Sequence, residues 1–392
     1  MSTARPTEYD VIVVGARVAG ASTSMLLARR GHRVLLVDRG QEGGDTLSTH
    51  ALMKAGVIQL HRWGLLDQIV AAETPPVRHT TMHYDAEPVV IATKPVGGID
   101  ALYAPRRTVL DPILVNAARD AGVEVRYGVS VSGLIVDDGA VIGIETRTDD
   151  GKSSQTTARL VVGADGIRSR IARAVGAQPY WSGTAATSVI YAYFEDLGVD
   201  GYEWFFAPGA IAGVIPTNGG SLAWISTTPE RFRAELRADL GRGFDQVMAE
   251  VSPFVAAELA HAERRSPWRS SPGHPGFVRS SWGPGWALVG DAAHFKDPIS
   301  AHGLTDAMRD AELLATGVDG ALRGTATTAE AMAAYQLTRD GLSADLHQAT
   351  ERLASFDWGV AELPQLLLDM SQAMKPEVEA VLALDGHMEV VA

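Results

Sequence analysis

The stretch Tyr9–Asp38, YDVIVVGARVAGASTSMLLARRGHRVLLVD, admits few folds. Val11, Ile12, Val13 and Val14 form an unbroken apolar run, the pattern of a parallel strand buried on both faces. Gly15 opens a tight turn. Ala19, Gly20 and Ala21 keep the start of the next helix small enough to pack closely on the strand. The spacing predicts a helix over 19–30 that stops at Gly31, then a second strand over 34–37 ending in Asp38. Such a βαβ unit places a pyrophosphate on a helix N-terminus and offers an acid, about 20 residues past the turn, to an adenosine ribose. Position 17 is Arg17 where the dinucleotide fingerprint has its middle glycine. On this stretch alone a plain buried βα unit competes. Two later strand-end segments favour dinucleotide binding.

The chain of 392 residues is long enough for two domains, or for one domain with a large insertion. A net charge of −13 argues against general nucleic-acid binding and against adhesion to anionic membranes. With no cysteine, disulfides, thiolate zinc sites, iron–sulfur clusters and cysteine nucleophiles are excluded. The opening residues MSTARPTE are polar and carry no signal-peptide pattern, and no apolar run reaches the ~18 residues of a membrane span. The expected location is cytoplasmic.

Beyond Asp38 and Arg39, the loop Asp45–His50 (DTLSTH) leads to a helix predicted over 51–63, with Ser48 or Thr49 as N-cap. As a helix start, this loop is a candidate to lie against a ligand. A second helix is predicted over 108–121 after Arg106 and Arg107. Strands at 123–125, 129–136 and 141–148, with turns at Asp138-Gly139 and Asp150-Gly151, form an antiparallel meander. The apolar run 159–162 then delivers Gly163-Ala164-Asp165-Gly166, and a short helix follows over 169–175. From 185 to 227 the chain becomes β-rich and aromatic, and helices are expected at 229–239 and 243–250. Residues 286–289 are another core strand, ending in Gly290-Asp291-Ala292-Ala293-His294. A loop then opens a helix from Leu304 to about Ala315, with Gly317 as the stop, and 327–384 is mostly helical.

The segments GARVAG, GADGIRS and GDAAHFKDPISAHGLTDA, in this order, resemble the single-component FAD-dependent aromatic hydroxylases, the monooxygenase group similar to para-hydroxybenzoate hydroxylase. The resemblance covers residues 9–314. It implies an α/β fold: a Rossmann-type FAD-binding core in which a parallel sheet carries the antiparallel meander, a β-sheet substrate layer and C-terminal helices. The expected division is 1–184 and 281–325 for the FAD-binding domain, 185–280 for the substrate layer and 326–392 for the helical segment.

Carried over by position, the resemblance puts Gly15, Gly20 and Asp38 at the adenosine half of FAD and Arg107 at its diphosphate–ribityl region. Arg17, Ala19, Arg39 and Thr49 are further candidates for contact with the cofactor. Asp165 and Gly166 match a motif associated with FAD and nicotinamide contact. The Gly290-Asp291 pair offers a carboxylate to the ribityl hydroxyls, a polyol that needs a strong acceptor once buried. Pro298, Ala301, His302, Gly303 and Leu304 would border the isoalloxazine, where helix N–H groups stabilise negative charge on the reduced ring. Ala301 replaces the first glycine of the family's P-x-x-G-x-G, and Ala172 stands where the family often has arginine.

The implied chemistry reduces FAD with NADH or NADPH. Molecular oxygen then gives a flavin hydroperoxide that hydroxylates an aromatic or polyketide-like small molecule. No protein nucleophile is required. His302 stands open between a base and a structural histidine, whereas His50 and His294 read as structural. No histidine pair sits at metal-ligand spacing beside carboxylates. Tyr191, Tyr193, Trp204, Phe206 and Trp224 lie in the aromatic sheet expected to roof the substrate pocket, with Tyr191 and Tyr193 on one face. A carbon–carbon double-bond reductase of the geranylgeranyl-reductase type shares the three motifs. A flavin halogenase is disfavoured because the W-x-W-x-I-P segment is missing, and a non-enzymatic flavin-binding protein is the rival of another class. The assembly is expected to be a monomer or homodimer.

Overall fold

The computed structural model describes residues 8–84 and 87–384. The polar opening over 1–7, read above for signal-peptide features, lies outside them. Five parallel strands form the centre of the first sheet in the order Glu124–Arg126, Val34–Val37, Tyr9–Val14, Ser153–Gly163 and Trp286–Leu288. Val11–Val13 and Leu35–Leu36 are completely buried, as their unbroken apolar runs demand. Each such side chain contributes about 1.5–3 kcal/mol on leaving water. The helix Val18–Arg29 packs against the Arg107–Asp120 and Gly303–Arg323 helices. The meander is Val129–Asp137 and Ala140–Thr148 running antiparallel into the first half of Ser153–Gly163. Asp138 and Gly139 both take positive φ, +45° and +76°, the left-handed geometry of a tight hairpin.

A second sheet has seven strands in the order Arg269–Ser271, Ser188–Phe194, Gly220–Thr227, Ala210–Thr217, Tyr202–Ala207, His79–His83 and Val89–Ala92. It is therefore built mainly from the β-rich segment, with two strands added from much earlier in the chain. Alternation sorts its two faces. Tyr191, Tyr193, Trp204, Phe206 and Trp224 join the large core shared with the nucleotide-type sheet, whereas Ile190, Ala192, Phe194 and Phe205 face Phe232, Phe244, Val247 and Met248. Both faces are covered.

The structure corrects three sequence expectations. The helix predicted from 51 starts at Lys54, with Met53 at the N-cap and no side-chain cap from Ser48 or Thr49. His50 adopts φ +64° and Leu52 bridges to Tyr103, so the chain is extended and kinked where a helix was expected. Gly317 does not stop its helix, which continues to Arg323 and ends at Gly324 with φ +75°. Gly317 instead lets a crossing helix approach: a Cβ there would lie 3.1 Å from the Ala331 carbonyl oxygen. Finally, 229–239 divides into Pro229–Arg231 and a π-helical turn over Phe232–Leu236, and Pro253–Leu259 is a further helix.

Candidate functional site

The three motifs meet at the C-terminal ends of the parallel strands, where ligands bind in open α/β sheets. Gly15, φ +110°, donates its N–H to Val37 O at 2.8 Å, and a Cβ on it would lie 2.3 Å from the Ala164 carbonyl oxygen. The first turn and the Gly163–Gly166 strand end are thus in direct contact. Gly20 crosses the turn so closely that a Cβ would overlap Gly15 O at 1.8 Å. Gly290 brings in the third motif: its Cβ position is 2.8 Å from the Ala19 side chain. These are cradles that only small residues leave open, at the N-terminus of the Val18–Arg29 helix, the setting that receives a diphosphate.

Asp38 ends the second strand and accepts from Ala16 N–H at 2.7 Å and Gly40 N–H at 2.6 Å. This fixes the carboxylate at the lip of the turn and leaves further lone pairs for ribose hydroxyls. Arg39 beside it is exposed, and Thr49 is half-buried. Arg17 occupies the N-cap of the first helix and swings outward. Its guanidinium donates to Gly44 O at 2.6 Å and to Asp111 at 2.9 Å. Arg107, buried, grips the same Asp111 through Nε and Nη2 at 2.8 and 3.0 Å. Two cations share one carboxylate, so the group keeps a net positive charge.

Asp165 is committed locally. Its carboxylate accepts from Ser169 Oγ at 2.5 Å, Arg170 N–H at 2.6 Å and Ile171 N–H at 3.3 Å, holding the start of the Arg170–Ala174 helix. Gly166 follows with φ +76°. Asp291 is the middle residue of the short 3₁₀ turn Gly290–Ala292, and no hydrogen bond from the described residues reaches its carboxylate. Burial pushes that carboxyl up to about 6, with Asp306 adding to the shift and Arg107 opposing it. A desolvated acceptor of this kind is stabilised as a carboxylate by hydroxyl donors.

Pro298–Ser300 forms a 3₁₀ turn, Ala301 is left-handed at φ +49°, and His302 caps the helix starting at Gly303 and Leu304. Asp297 ties this loop to the second sheet by accepting from Thr187 N–H at 2.6 Å, Thr187 Oγ1 at 2.7 Å and Ile299 N–H at 2.9 Å. The His302 ring is buried and its Nε2 bonds the Glu377 carboxylate. His294 is buried too, 2.5 Å from His347 between ring nitrogens.

Opposite the loop, Tyr191 and Tyr193 lie edge to face at 6.0 Å, and Trp204 meets Trp224 edge to face at 5.2 Å. Phe206 sits on the same side of the sheet. The 45–50 loop is pinned to this wall at three points: Ser48 N–H donates to Tyr191 OH at 3.3 Å, the His50 Nε2 bonds Tyr193 OH, and Asp45 pairs with Arg269 at 2.8 Å. Burial, reinforced by Arg107, Arg106 and Arg269, drops the His50 imidazole to about 3, so the ring is neutral. Arg106 stacks on Tyr193 at 4.0 Å.

Sequence reasoning passed over Arg106, Asp111, Arg269, Asp297 and Glu377. The i,i+4 spacing of Arg107 and Asp111 was a usable signal. Arg269 and Glu377 reach their partners across long chain separations that no local pattern reveals.

The FAD binding domain family matches residues 8–350. The chain is 30% identical to digeranylgeranylglycerophospholipid reductase 2 of Methanopyrus kandleri over 321 residues, covering 76% of this chain and 73% of the relative. It is 28% identical to aklavinone 12-hydroxylase DnrF of Streptomyces peucetius over 351 residues, covering 81% and 69%. Among solved structures, the myxobacterial chondrochloren halogenase superposes with a TM-score of 0.79 at 21% identity over 97% of each chain. PqsL of Pseudomonas aeruginosa, in complex with 2-aminobenzoylacetate, superposes with a TM-score of 0.74 at 23% identity over 93% of this chain and 99% of PqsL. At these identities the structures establish the fold, which hosts several reactions. With its three glycine-bearing strand ends converging on one helix N-terminus and the match spanning 8–350, the chain belongs to the FAD binding domain family of FAD-dependent oxidoreductases.

Proposed function

We propose that the chain is a monooxygenase that takes electrons from NADH or NADPH and uses molecular oxygen to hydroxylate an aromatic or polyketide-like small molecule. The observation that carries this reading is the aromatic wall. Tyr191, Tyr193, Trp204, Phe206 and Trp224 all face the side of the second sheet that meets the flavin-type core. The 28% identity to aklavinone 12-hydroxylase points the same way. In this reading the described parts of 1–184 and 281–325 hold FAD, 185–280 receives the substrate and the described part of 326–392, up to 384, is the helical segment.

FAD, when bound, supplies the redox chemistry. Gly15, Ala19 and Gly20 leave room for the diphosphate, Asp38 takes the ribose, Arg17 and Arg107 meet the phosphate charge, and Asp291 accepts the ribityl hydroxyls. Pro298, Ala301, Gly303 and Leu304 border the ring. The protein contributes orientation and a water-poor chamber. His302 is assigned a positioning role because its Nε2 is held by Glu377. Among the described residues no helix is long and apolar enough to cross a membrane.

A second reading has a specific observation behind it: the 30% identity to a digeranylgeranylglycerophospholipid reductase supports reduction of a carbon–carbon double bond. The two are separated by reducing the FAD-loaded protein anaerobically with NADH and NADPH, then admitting ¹⁸O₂ with a panel of phenols and aromatic polyketides. Label in the product supports hydroxylation. A product gaining two hydrogens without oxygen transfers the assignment to the reductase.

A further inference from the structure

The largest group of buried charges outside the strand-end cradles surrounds the start of the Gly303–Arg323 helix. Lys296 Nζ donates to Asp306 at 2.9 Å. Arg309 reaches Asp306 at 2.9 Å, Asp310 at 2.6 Å, Ser343 at 3.0 Å and Glu377 at 3.4 Å. Glu377 uses its second oxygen on His302 Nε2. All of these side chains are buried. Burial alone would raise the Asp306 carboxyl, but Lys296 and Arg309 overcome it and hold it well below the usual range. His302, Asp306 and Glu377 place donor atoms within 4.8 Å of one another. That spacing suits a metal, but the ammonium of Lys296 and the guanidinium of Arg309 already face these carboxylates. Among the described residues His302 Nδ1 and Asp310 Oδ2 stay buried without a hydrogen-bond partner.

Its geography is informative. His302 is the N-cap of the helix that follows the 298–303 loop, and Ala301 before it is left-handed. The His302 side chain makes no capping hydrogen bond to its own helix. The hold comes from Glu377 on the Lys375–Ala383 helix, which packs against the Lys54–Arg62 helix. Glu377 also lies beyond the family-matched span, which ends at 350. A segment outside that span therefore supplies a second carboxylate, besides Asp297, that holds the loop.

We propose that Glu377 is a positioning residue: through His302 it sets the 298–303 loop, and thereby the affinity and redox potential of the flavin. The assignment rests on the proposed placement of that loop beside the isoalloxazine. Glu377→Gln keeps the shape and removes the charge. Because its removal leaves the His302–Arg309 cluster behind the loop more positive, the anionic reduced flavin is favoured and the midpoint potential shifts upward. Loosening of the loop weakens FAD binding.

The test compares full-length wild type, Glu377→Gln, His302→Gln, the double variant and the exposed control Glu379→Gln. FAD affinity is measured by flavin fluorescence, potential by reductive titration, and folding by thermal unfolding of the FAD-free chain. Glu377→Gln is expected to weaken FAD at least fivefold and raise the potential. His302→Gln should weaken FAD similarly, and the double variant should be no weaker than either single, because both act through one contact. Glu379→Gln, with the same charge change on the same helix, should match wild type. Wild-type affinity and potential in Glu377→Gln, or the same shift in Glu379→Gln, would overturn the assignment. So would a lowered unfolding temperature with an unmoved potential. If Glu377→Gln does not fold, FAD affinity in His302→Gln decides. A wild-type chain that took up no FAD would sink the flavin reading together with this proposal, whereas an indifferent Glu377→Gln beside an FAD-binding wild type would sink the proposal alone.

Discussion

Ala301 shows how much a single methyl carries at this site. At φ +49° its backbone lies in the left-handed region, where an L side chain costs about 1–2 kcal/mol and glycine nothing comparable. Ala301→Gly is expected to be neutral or stabilising by up to ~1 kcal/mol, since the relieved strain is partly offset by a freer unfolded chain. Ala301→Val should lose about 2 kcal/mol, a β-branched residue being worst suited to that conformation. Urea midpoints at constant m-value would check both. Asp291 makes the second residue-scale prediction. Its carboxyl is raised to about 6 from an ordinary 3.8, so its contribution to the stability of the FAD-free chain is full below about 3.8 and lost as pH rises through about 6. Hydroxyl donors of the ribityl chain favour the charged form, so FAD affinity should hold above pH 6 and fall as pH drops below it, by up to about tenfold per unit. Asp291→Asn should bind FAD more weakly and flatten that dependence, and an unchanged pH profile in the variant would remove Asp291 from the ribityl role.

At the scale of elements, the second sheet depends on glycine where its aromatic wall is thickest. A Cβ on Gly213 would lie 2.6–2.8 Å from the indole of Trp224, which is buried and meets Trp204 edge to face. Gly213→Ala should therefore cost about 1–3 kcal/mol through overpacking and turn the indole. Thermal unfolding and tryptophan emission would report the two effects separately, and an unmoved spectrum would mean that the wall absorbs the methyl elsewhere. Strands such as this were legible because alternation and apolar runs are local: Tyr9–Val14, Val34–Val37 and the 188–227 hairpins follow directly from side-chain order. So were the three strand-end motifs, because glycine and aspartate announce turns and close approaches. What escaped was set by distant partners. Gly317 reads locally as a stop, but its reason is the Ala331 backbone of another helix. His50 reads as a structural histidine closing the loop before a capped helix, but Tyr193, 143 residues away, holds its ring. Glu377 had no local signal at all.

The two large sheets are joined by specific polar links rather than by apolar contact alone. Asp297 binds Thr187, Asp45 binds Arg269, Thr217 Oγ1 donates to Ala104 O at 2.6 Å, and Arg106 N–H donates to Asn218 Oδ1 at 3.0 Å. Each link joins a loop or helix start of the cofactor side to a strand or turn of the aromatic sheet. Removing one partner of a buried bond costs more than the bond contributes, because the other partner is left unsatisfied. The two layers should consequently unfold as one cooperative unit. Saturating FAD at 100-fold over its dissociation constant adds about 2.7 kcal/mol to the folded state. That increment should move the far-UV transition and the tryptophan transition together, since tryptophans sit in both layers, at Trp204 and Trp224 in one and Trp286 in the other. Thr187→Val removes one donor to Asp297 while keeping shape, and is expected to lower the shared midpoint without splitting it. If instead the tryptophan signal divided into an FAD-sensitive and an FAD-indifferent phase, the sheets would be independent bodies. The aromatic wall would then owe its position over the cofactor side to closure rather than to these fixed bonds.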